Sequence, residues 1–219
     1  MLKHFILVLS LSFLIGAQAS GHQIIDRPVP FPEKRKALTL EYMKDRYSMN
    51  RSDITITPKL IIIHWMAVDQ LERCFQAFVP TLLRGGREDI AGSSLNVSAH
   101  FLVDRDGSIY RLMPEMWMAR HVVGLNHCAI GIENVGGVKG VEDLTPKQLE
   151  ANAYLVKYLK EKYPTIHYLA GHYEYRRFEG TSIWKEKKET PRTIKLDPGP
   201  KFMKALRQKV RALKFLPLP

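Results

Sequence analysis

Three residues that could bind a metal stand beside predicted strands or helices. His64 follows the apolar run 60–63, His172 follows YLAG at 168–171, and Asp197 precedes the Pro-Gly-Pro that opens a predicted helix. Two imidazoles and one carboxylate are a ligand set that zinc favours, and a fourth position left for water makes such a site catalytic. The three residues lie far apart in sequence, so their spacing alone leaves open that each histidine is a hydrogen-bonded structural residue.

The elements that must position these residues alternate between strands and helices. The sequence LIII at 60–63 is continuously apolar, which is typical of a central strand covered on both faces. Thr145, Pro146 and Gln148 supply an N-cap, a proline at the first helical position and a glutamine at the third, which predict a helix start. The alternation predicts an α/β fold with a central mixed β-sheet flanked by helices, in which ligands collect at strand ends. The predicted strands are 60–63, 99–103, 108–112, 129–135 and 166–170, and the predicted helices are 38–47, 68–82, 146–163 and 201–214.

Five motifs follow one another along the chain. They are LIIIHWMA, VSAHFLVDRDGSIYRL, HVVGLNHCAIGIENVGG, LAGH and KLDPGPKF. In this order they resemble the N-acetylmuramoyl-L-alanine amidase type 2 family, which also includes phage T7 lysozyme and the animal peptidoglycan recognition proteins. The resemblance covers roughly residues 59–202 and implies the fold of the amidases and peptidoglycan recognition proteins.

The resemblance implies zinc-dependent hydrolysis of the amide bond between N-acetylmuramic acid and L-alanine in peptidoglycan or muropeptides. In that chemistry zinc activates the attacking water, a carboxylate accepts the proton of that water, and a cation stabilises the oxyanion. The residues that match the family positions are His64, His172 and Asp197 as ligands of a single zinc ion, Glu133 as general base, Lys195 at the oxyanion, and His121 and Asn126 in the substrate cleft.

Two features depart from the family pattern. Ala99 stands where some branches carry a tyrosine that assists catalysis, so the resemblance implies that this chain relies on Glu133. The segment 173–194 is longer than the family usually shows, and it is rich in basic and aromatic residues. Aromatic rings can stack on sugars, and cations can pair with carboxylates of stem peptides. The segment is therefore either a loop at the rim of the cleft that contacts substrate or a solvated surface loop.

The start of the chain has the layout of a secretory signal peptide. Lys3 and His4 give a basic beginning, residues 5–15 form an apolar run, and GAQA at 16–19 supplies small residues for cleavage. The apolar run is shorter than the roughly 20 residues needed to span a bilayer. We therefore expect an exported protein, periplasmic or secreted. The expected divisions are a signal peptide at 1–19, an extended N-terminal arm with a short helix at 20–58, and a zinc amidase catalytic domain at 59–219.

The charge of the chain restricts its partners. The formal net charge of +11 over 219 residues predicts an acidic partner such as nucleic acid, anionic lipid or the cell-wall polymer. The expected export and the lack of a known nucleic-acid-binding motif argue against nucleic acid. The charge does not choose between lipid and wall, and the resemblance implies that the partner is peptidoglycan or a muropeptide, bound by a monomer without stable membrane insertion. The alternative is a peptidoglycan-binding protein that does not cut, although such relatives typically lack at least one zinc ligand.

Three other residues have two interpretations each. His100 either faces the cleft or is a structural residue at the start of a hairpin strand. Cys74 and Cys128 are either a disulfide pair or two buried free thiols. Export makes a disulfide chemically permissible, but two cysteines do not define a framework.

Overall fold

The computed structural model describes residues 21–85, 92–186 and 192–219. The predicted signal peptide at 1–19 lies outside the described residues. Within the described ranges, no helix combines the length and the apolar character needed to cross a membrane.

Within the described residues, six strands form one mixed sheet, which confirms the predicted α/β fold. The strands are β1 (Ile24–Asp26), β2 (Leu60–Ile63), β3 (Phe101–Val103), β4 (Ile109–Arg111), β5 (Ala129–Asn134) and β6 (Tyr168–Gly171). Their order across the sheet is β1-β4-β3-β5-β2-β6. Only the hairpin partners β3 and β4 run antiparallel, and the other neighbouring pairs are parallel. This order places β2 between β5 and β6, so the ends of three strands that carry predicted site residues lie side by side.

In the part of the chain that the structure describes, four α-helices flank the sheet. They are α1 (Glu33–Tyr47), α2 (Leu71–Phe78), α3 (Pro146–Lys162) and α4 (Pro200–Lys209). The predicted cap of α3 is confirmed, because Gln148 N–H donates to the Thr145 hydroxyl at 3.1 Å and Thr145 N–H donates to the Gln148 side chain at 2.9 Å. Helix α4 ends earlier than predicted, since the chain continues as a 3₁₀ turn over Arg211–Leu213.

The residues of β2 face two different apolar cores, as predicted for a strand covered on both sides. Ile61 and Ile63 pack in a cluster with buried residues of α3 and α4 such as Leu155 and Met203. Leu60 and Ile62 instead pack in a cluster on the other face, with buried residues from the segments that follow β4 and β6. All four strand residues are fully buried. Packing on both faces holds β2 in place, and it thereby fixes the position of His64, which follows directly.

The N-terminal arm is more ordered than predicted. It contributes β1, which pairs with β4 at the edge of the sheet, and its helix begins at Glu33 rather than at residue 38. The first residues of α1 are polar, so no apolar periodicity indicated that the helix begins there. Arg35 is nevertheless fully buried and donates to the carbonyl oxygens of Phe78 and Val97 at 2.9 and 3.2 Å. These long-range acceptors anchor the first turn of α1.

Several described residues of 173–194 pack against the fold. The indole of Trp184 lies against Gly124, where an added Cβ would come within 2.6 Å of the ring. Gly124 also has a φ of 77°, so its lack of a side chain serves both the turn and the contact. Glu186 forms an ion pair with Arg46 of α1 at 3.1 Å, and the two side chains are only 1% and 4% exposed.

We expect the Arg46–Glu186 pair to contribute strongly to the stability of the fold. Glu186→Gln leaves the buried guanidinium facing a neutral amide, and the loss of one partner of a buried ion pair costs about 3 kcal/mol or more. The measurement is the free energy of unfolding in urea. Glu161→Gln is the matched control, because Glu161 and Lys157 are 62% and 65% exposed and an exposed pair contributes about 0–1 kcal/mol. Equal losses in the two variants would contradict the buried contact.

Candidate active site

The three predicted metal ligands come together at the carboxyl edge of the sheet. Ile63 pairs with Gly171 across β2 and β6, so His64 and His172 follow at adjacent positions. Asp197 Oδ2 lies 3.1 Å from His64 Nδ1 and 2.9 Å from His172 Nδ1. One ligand atom from each residue lies within 4.8 Å of the others, and no second group of this kind occurs in the described part of the chain.

This arrangement fits a zinc ion. Two ligand atoms at ordinary zinc distances and a tetrahedral angle stand about 3.3 Å apart, close to the 3.1 and 2.9 Å found here. Burial lowers the pKa of His64 to about 4, and the neighbouring His172 adds to the shift. Burial would raise the pKa of Asp197, but His172 and His64 outweigh it and hold that pKa below its usual range. A neutral imidazole and an ionised carboxylate are the forms that bind zinc.

Backbone hydrogen bonds hold His64 and Asp197 in place. His64 N–H donates to the carbonyl oxygen of Ile132 at 2.8 Å. The carbonyl oxygen of His64 accepts from the backbone N–H of Asn134 at 3.1 Å and from its Nδ2 at 2.9 Å. Tyr173 N–H donates to the carbonyl oxygen of Asp197 at 3.0 Å, which ties the Asp197 segment to the end of β6. The backbone of His64 is therefore held by β5, and that of Asp197 is held by the segment that follows β6.

A cavity of about 540 Å³ opens over the predicted ligands. Glu133 faces it from β5, the strand next to β2. Lys195 lines the same cavity, and its charge is one of the influences that lower the pKa of His64. The structure brings all the predicted site residues to this one cavity, while their individual roles remain predictions. The predicted site residues that line the cavity are His64, His121, Asn126, Glu133, His172, Lys195 and Asp197.

His121 and Asn126 line the cavity and also bond to their neighbours. Asn126 is buried, and its Oδ1 accepts the backbone N–H groups of His121 and Val122 at 2.8 and 2.7 Å. The Nδ2 of Asn126 donates to the Tyr42 hydroxyl at 3.4 Å. His121 Nδ1 lies 3.0 Å from His64 Nε2. Whether either residue touches substrate remains a prediction, but both shape the loop beside the predicted metal ligands.

Several polar residues of the cavity wall were not predicted from the sequence. Arg120 directly precedes HVVGLN, so its position beside the motif was the one available signal. Its guanidinium lies over the Tyr42 ring, 5.1 Å from the ring centroid. The others come from α1 and from the segment 173–194, which the motifs do not include. The missed polar residues are Tyr42, Arg46, Arg120 and Glu186.

His100 and the two cysteines are structural. His100 is fully buried, accepts the backbone N–H of Gly131 at 3.0 Å, and places its Nε2 2.8 Å from the carbonyl oxygen of Trp117. Cys74 and Cys128 are buried free thiols. Burial raises the pKa of each thiol to about 12. A thiol with such a pKa is not a nucleophile at neutral pH.

The fold and the ligand group agree with the family indicated by the motifs. The chain belongs to the N-acetylmuramoyl-L-alanine amidase family, whose sequence model matches residues 54–200. It is 38% identical over 73 residues to the endolysin of Escherichia phage T7 and 37% identical over 73 residues to the endolysin of Enterobacteria phage T3. Each match covers 32% of this chain and 48% of the phage protein. The chain thus spans about half the length of the curated relatives it matches.

Solved structures share the fold. Bumblebee PGRP-SA aligns with a TM-score of 0.51 at 20% identity, covering 91% of this chain and 100% of that one. A mutant of PlyL aligns with a TM-score of 0.52 at 17% identity, covering 87% and 99%. The amidase LysC from Clostridium intestinale URNW aligns with a TM-score of 0.50 at 21% identity, covering 87% and 99%. At these identities the likeness concerns the fold alone, and it confirms the predicted architecture.

Proposed function

We propose that this protein is a zinc-dependent N-acetylmuramoyl-L-alanine amidase. It hydrolyses the amide bond that joins N-acetylmuramic acid to L-alanine in peptidoglycan or in muropeptides. The observation that carries the proposal is the group formed by His64, His172 and Asp197 in a cavity that Glu133 and Lys195 also line. Membership of the amidase family supports the same reaction.

His64, His172 and Asp197 would hold the zinc ion. When bound there, zinc supplies Lewis-acid chemistry, which polarises the amide carbonyl and activates water for attack. The side chains determine where this happens, because the Asp197 carboxylate faces both imidazoles at the wall of the cavity. A substrate that enters the cavity would therefore reach the three residues that would hold the zinc ion.

Glu133 is the proposed general base. Its carboxylate lines the cavity from β5, where it would accept a proton from the attacking water and pass it to the leaving amine of L-alanine. Lys195 would stabilise the negative charge that develops on the carbonyl oxygen. Lys195 stands two residues before Asp197 and lines the same cavity, which supports this role.

A peptidoglycan-binding protein without activity is the second candidate. Such a protein needs a cavity that fits the wall fragment, but it needs neither a base nor an open metal site. The presence of three ligands together with Glu133 and Lys195 in one cavity favours hydrolysis over binding alone.

Incubation with insoluble peptidoglycan separates the two candidates. An amidase releases new α-amino groups, which amine labelling measures, and it creates no new reducing sugar ends. A binding protein sediments with the wall and releases neither. New reducing ends without new amines would contradict the amidase proposal, because they would indicate cleavage of the glycan.

We also propose that the protein is exported, on the basis of the basic, apolar and small-residue succession at 1–19. The expected mature chain begins near Ser20 and is found in the periplasm or outside the cell. Cell fractionation followed by N-terminal sequencing measures both properties. An intact Met1 on protein retained in the cytoplasm would show that export is wrong.

A further inference from the structure

The His121 side chain contacts both His64, one of the predicted metal ligands, and Ala129 of β5. Its Nδ1 lies 3.0 Å from Nε2 of His64, and its Nε2 lies 3.3 Å from the carbonyl oxygen of Ala129. The rings of His121 and His64 are nearly perpendicular, at 88°. Both nitrogens of His121 therefore face protein atoms.

These contacts define which nitrogen carries each proton. A carbonyl oxygen only accepts, so Nε2 of His121 must carry a hydrogen to bond to Ala129. In a neutral imidazole the other nitrogen is then an acceptor, so Nδ1 of His121 can accept from His64. This leaves the hydrogen of His64 on Nε2 and the lone pair on Nδ1. Nδ1 is the atom of His64 that faces Asp197.

We propose that His121 is a positioning residue that orients His64 and selects the tautomer in which Nδ1 of His64 binds the metal. The proposal rests on the zinc site of the proposed function. It assigns His121 a role different from contact with substrate. Histidine ligands commonly donate their second N–H to a protein acceptor, which fixes the ring and makes it a better ligand.

The surroundings of His121 hold its ring in the required position. The backbone N–H groups of His121 and Val122 both donate to Asn126 Oδ1, which fixes the loop. Across the ring lies Gly131 of β5, where an added Cβ would come within 2.8 Å of the imidazole. The glycine at this position thus leaves the space that His121 occupies, and any larger residue would displace the ring from His64.

The test measures zinc affinity by competition with a chromophoric chelator. His121→Ala should weaken zinc binding about 10- to 100-fold, the usual cost of losing an outer partner of a metal ligand. His121→Asn retains an acceptor oxygen near the position of Nδ1 and should recover most of the affinity. His127→Ala is the control, because His127 is also buried in this loop but contacts Tyr47. Its zinc affinity should equal that of the wild type.

A second readout follows the Nε2 proton of His64 by nuclear magnetic resonance in the zinc-loaded wild type and in His121→Asn. The proton should be protected from exchange with water in both proteins, and this comparison remains valid if His121→Ala does not fold. Unchanged zinc affinity in His121→Ala, or rapid exchange of the proton in the wild type, would overturn the proposal. A higher KM for muropeptide at unchanged zinc affinity would also overturn it and favour contact with substrate. Failure of the wild type to bind zinc would instead refute the zinc site.

Discussion

Asp197→Ala is expected to abolish stoichiometric zinc binding and with it hydrolysis of peptidoglycan. The Asp197 carboxylate is the group that both His64 and His172 face, at 3.1 and 2.9 Å. Its removal leaves two imidazoles, which rarely hold zinc in an open site. Losing a residue that only hydrogen-bonds to a metal ligand lowers metal affinity by up to about 100-fold. Because Asp197 is itself a proposed ligand, its loss should lower zinc affinity by more than that. Elemental analysis of the purified variant measures the bound metal.

The control for this substitution is Asp26→Ala. Asp26 is 69% exposed and pairs with Arg111 at the edge of the sheet, so its removal should leave the zinc content unchanged. Circular dichroism of both variants checks that the fold is retained. A folded Asp197→Ala protein that kept a full complement of zinc would show that the ligand assignment is wrong.

Glu133→Gln is expected to separate catalysis from metal binding. The amide keeps the size of the side chain but cannot take up the proton of the attacking water. We expect kcat to fall about 10²-fold or more, the contribution typical of a general base. Zinc content and thermal stability should remain near those of the wild type, because Glu133 is outside the ligand group. The measurement is the rate of amine release from a soluble muropeptide.

Glu150→Gln is the matched control for that experiment. Glu150 lies on the surface of α3, is 56% exposed and pairs with Lys209, so the same chemical change there should leave kcat unaltered. If Glu133→Gln retained near-normal turnover, another group would have to accept the proton. In that case the family position matched to Glu133 would not have its expected role in this chain.

The strand ends and the helix cap near the site were predictable from local sequence, whereas the choice of His64 and His172 as ligands came from the family resemblance. His64 and His172 follow short apolar strands whose burial the sequence shows directly, and the pairing of β2 with β6 then brings them together. The cap of α3 was predictable for the same reason, because Thr145 and Gln148 bond to each other across one turn. The strands and the cap need little knowledge of the rest of the fold, whereas the pairing of β2 with β6 joins segments far apart in the sequence.

The parts that sequence analysis missed depend on contacts between distant segments. Arg46 and Glu186 are separated by 140 positions, and neither has a local pattern that marks it as a residue of the cavity wall. The first turn of α1 is highly charged, yet Arg35 is buried because carbonyl oxygens from other segments surround its guanidinium. Periodicity and capping rules do not detect burial of this kind.

Mass analysis of peptidoglycan digested with the wild-type protein is the decisive test of zinc-dependent hydrolysis at the amide bond between N-acetylmuramic acid and L-alanine. The protein is assayed as purified, after removal of metal by a chelator, and after zinc is restored. We expect stem peptides with a free N-terminal L-alanine and glycan with unsubstituted muramic acid carboxyl groups. These products should form when metal is present, and none of them should form after chelation. Cleavage at a different bond, or undiminished cleavage by protein shown to be free of metal, would contradict this expectation.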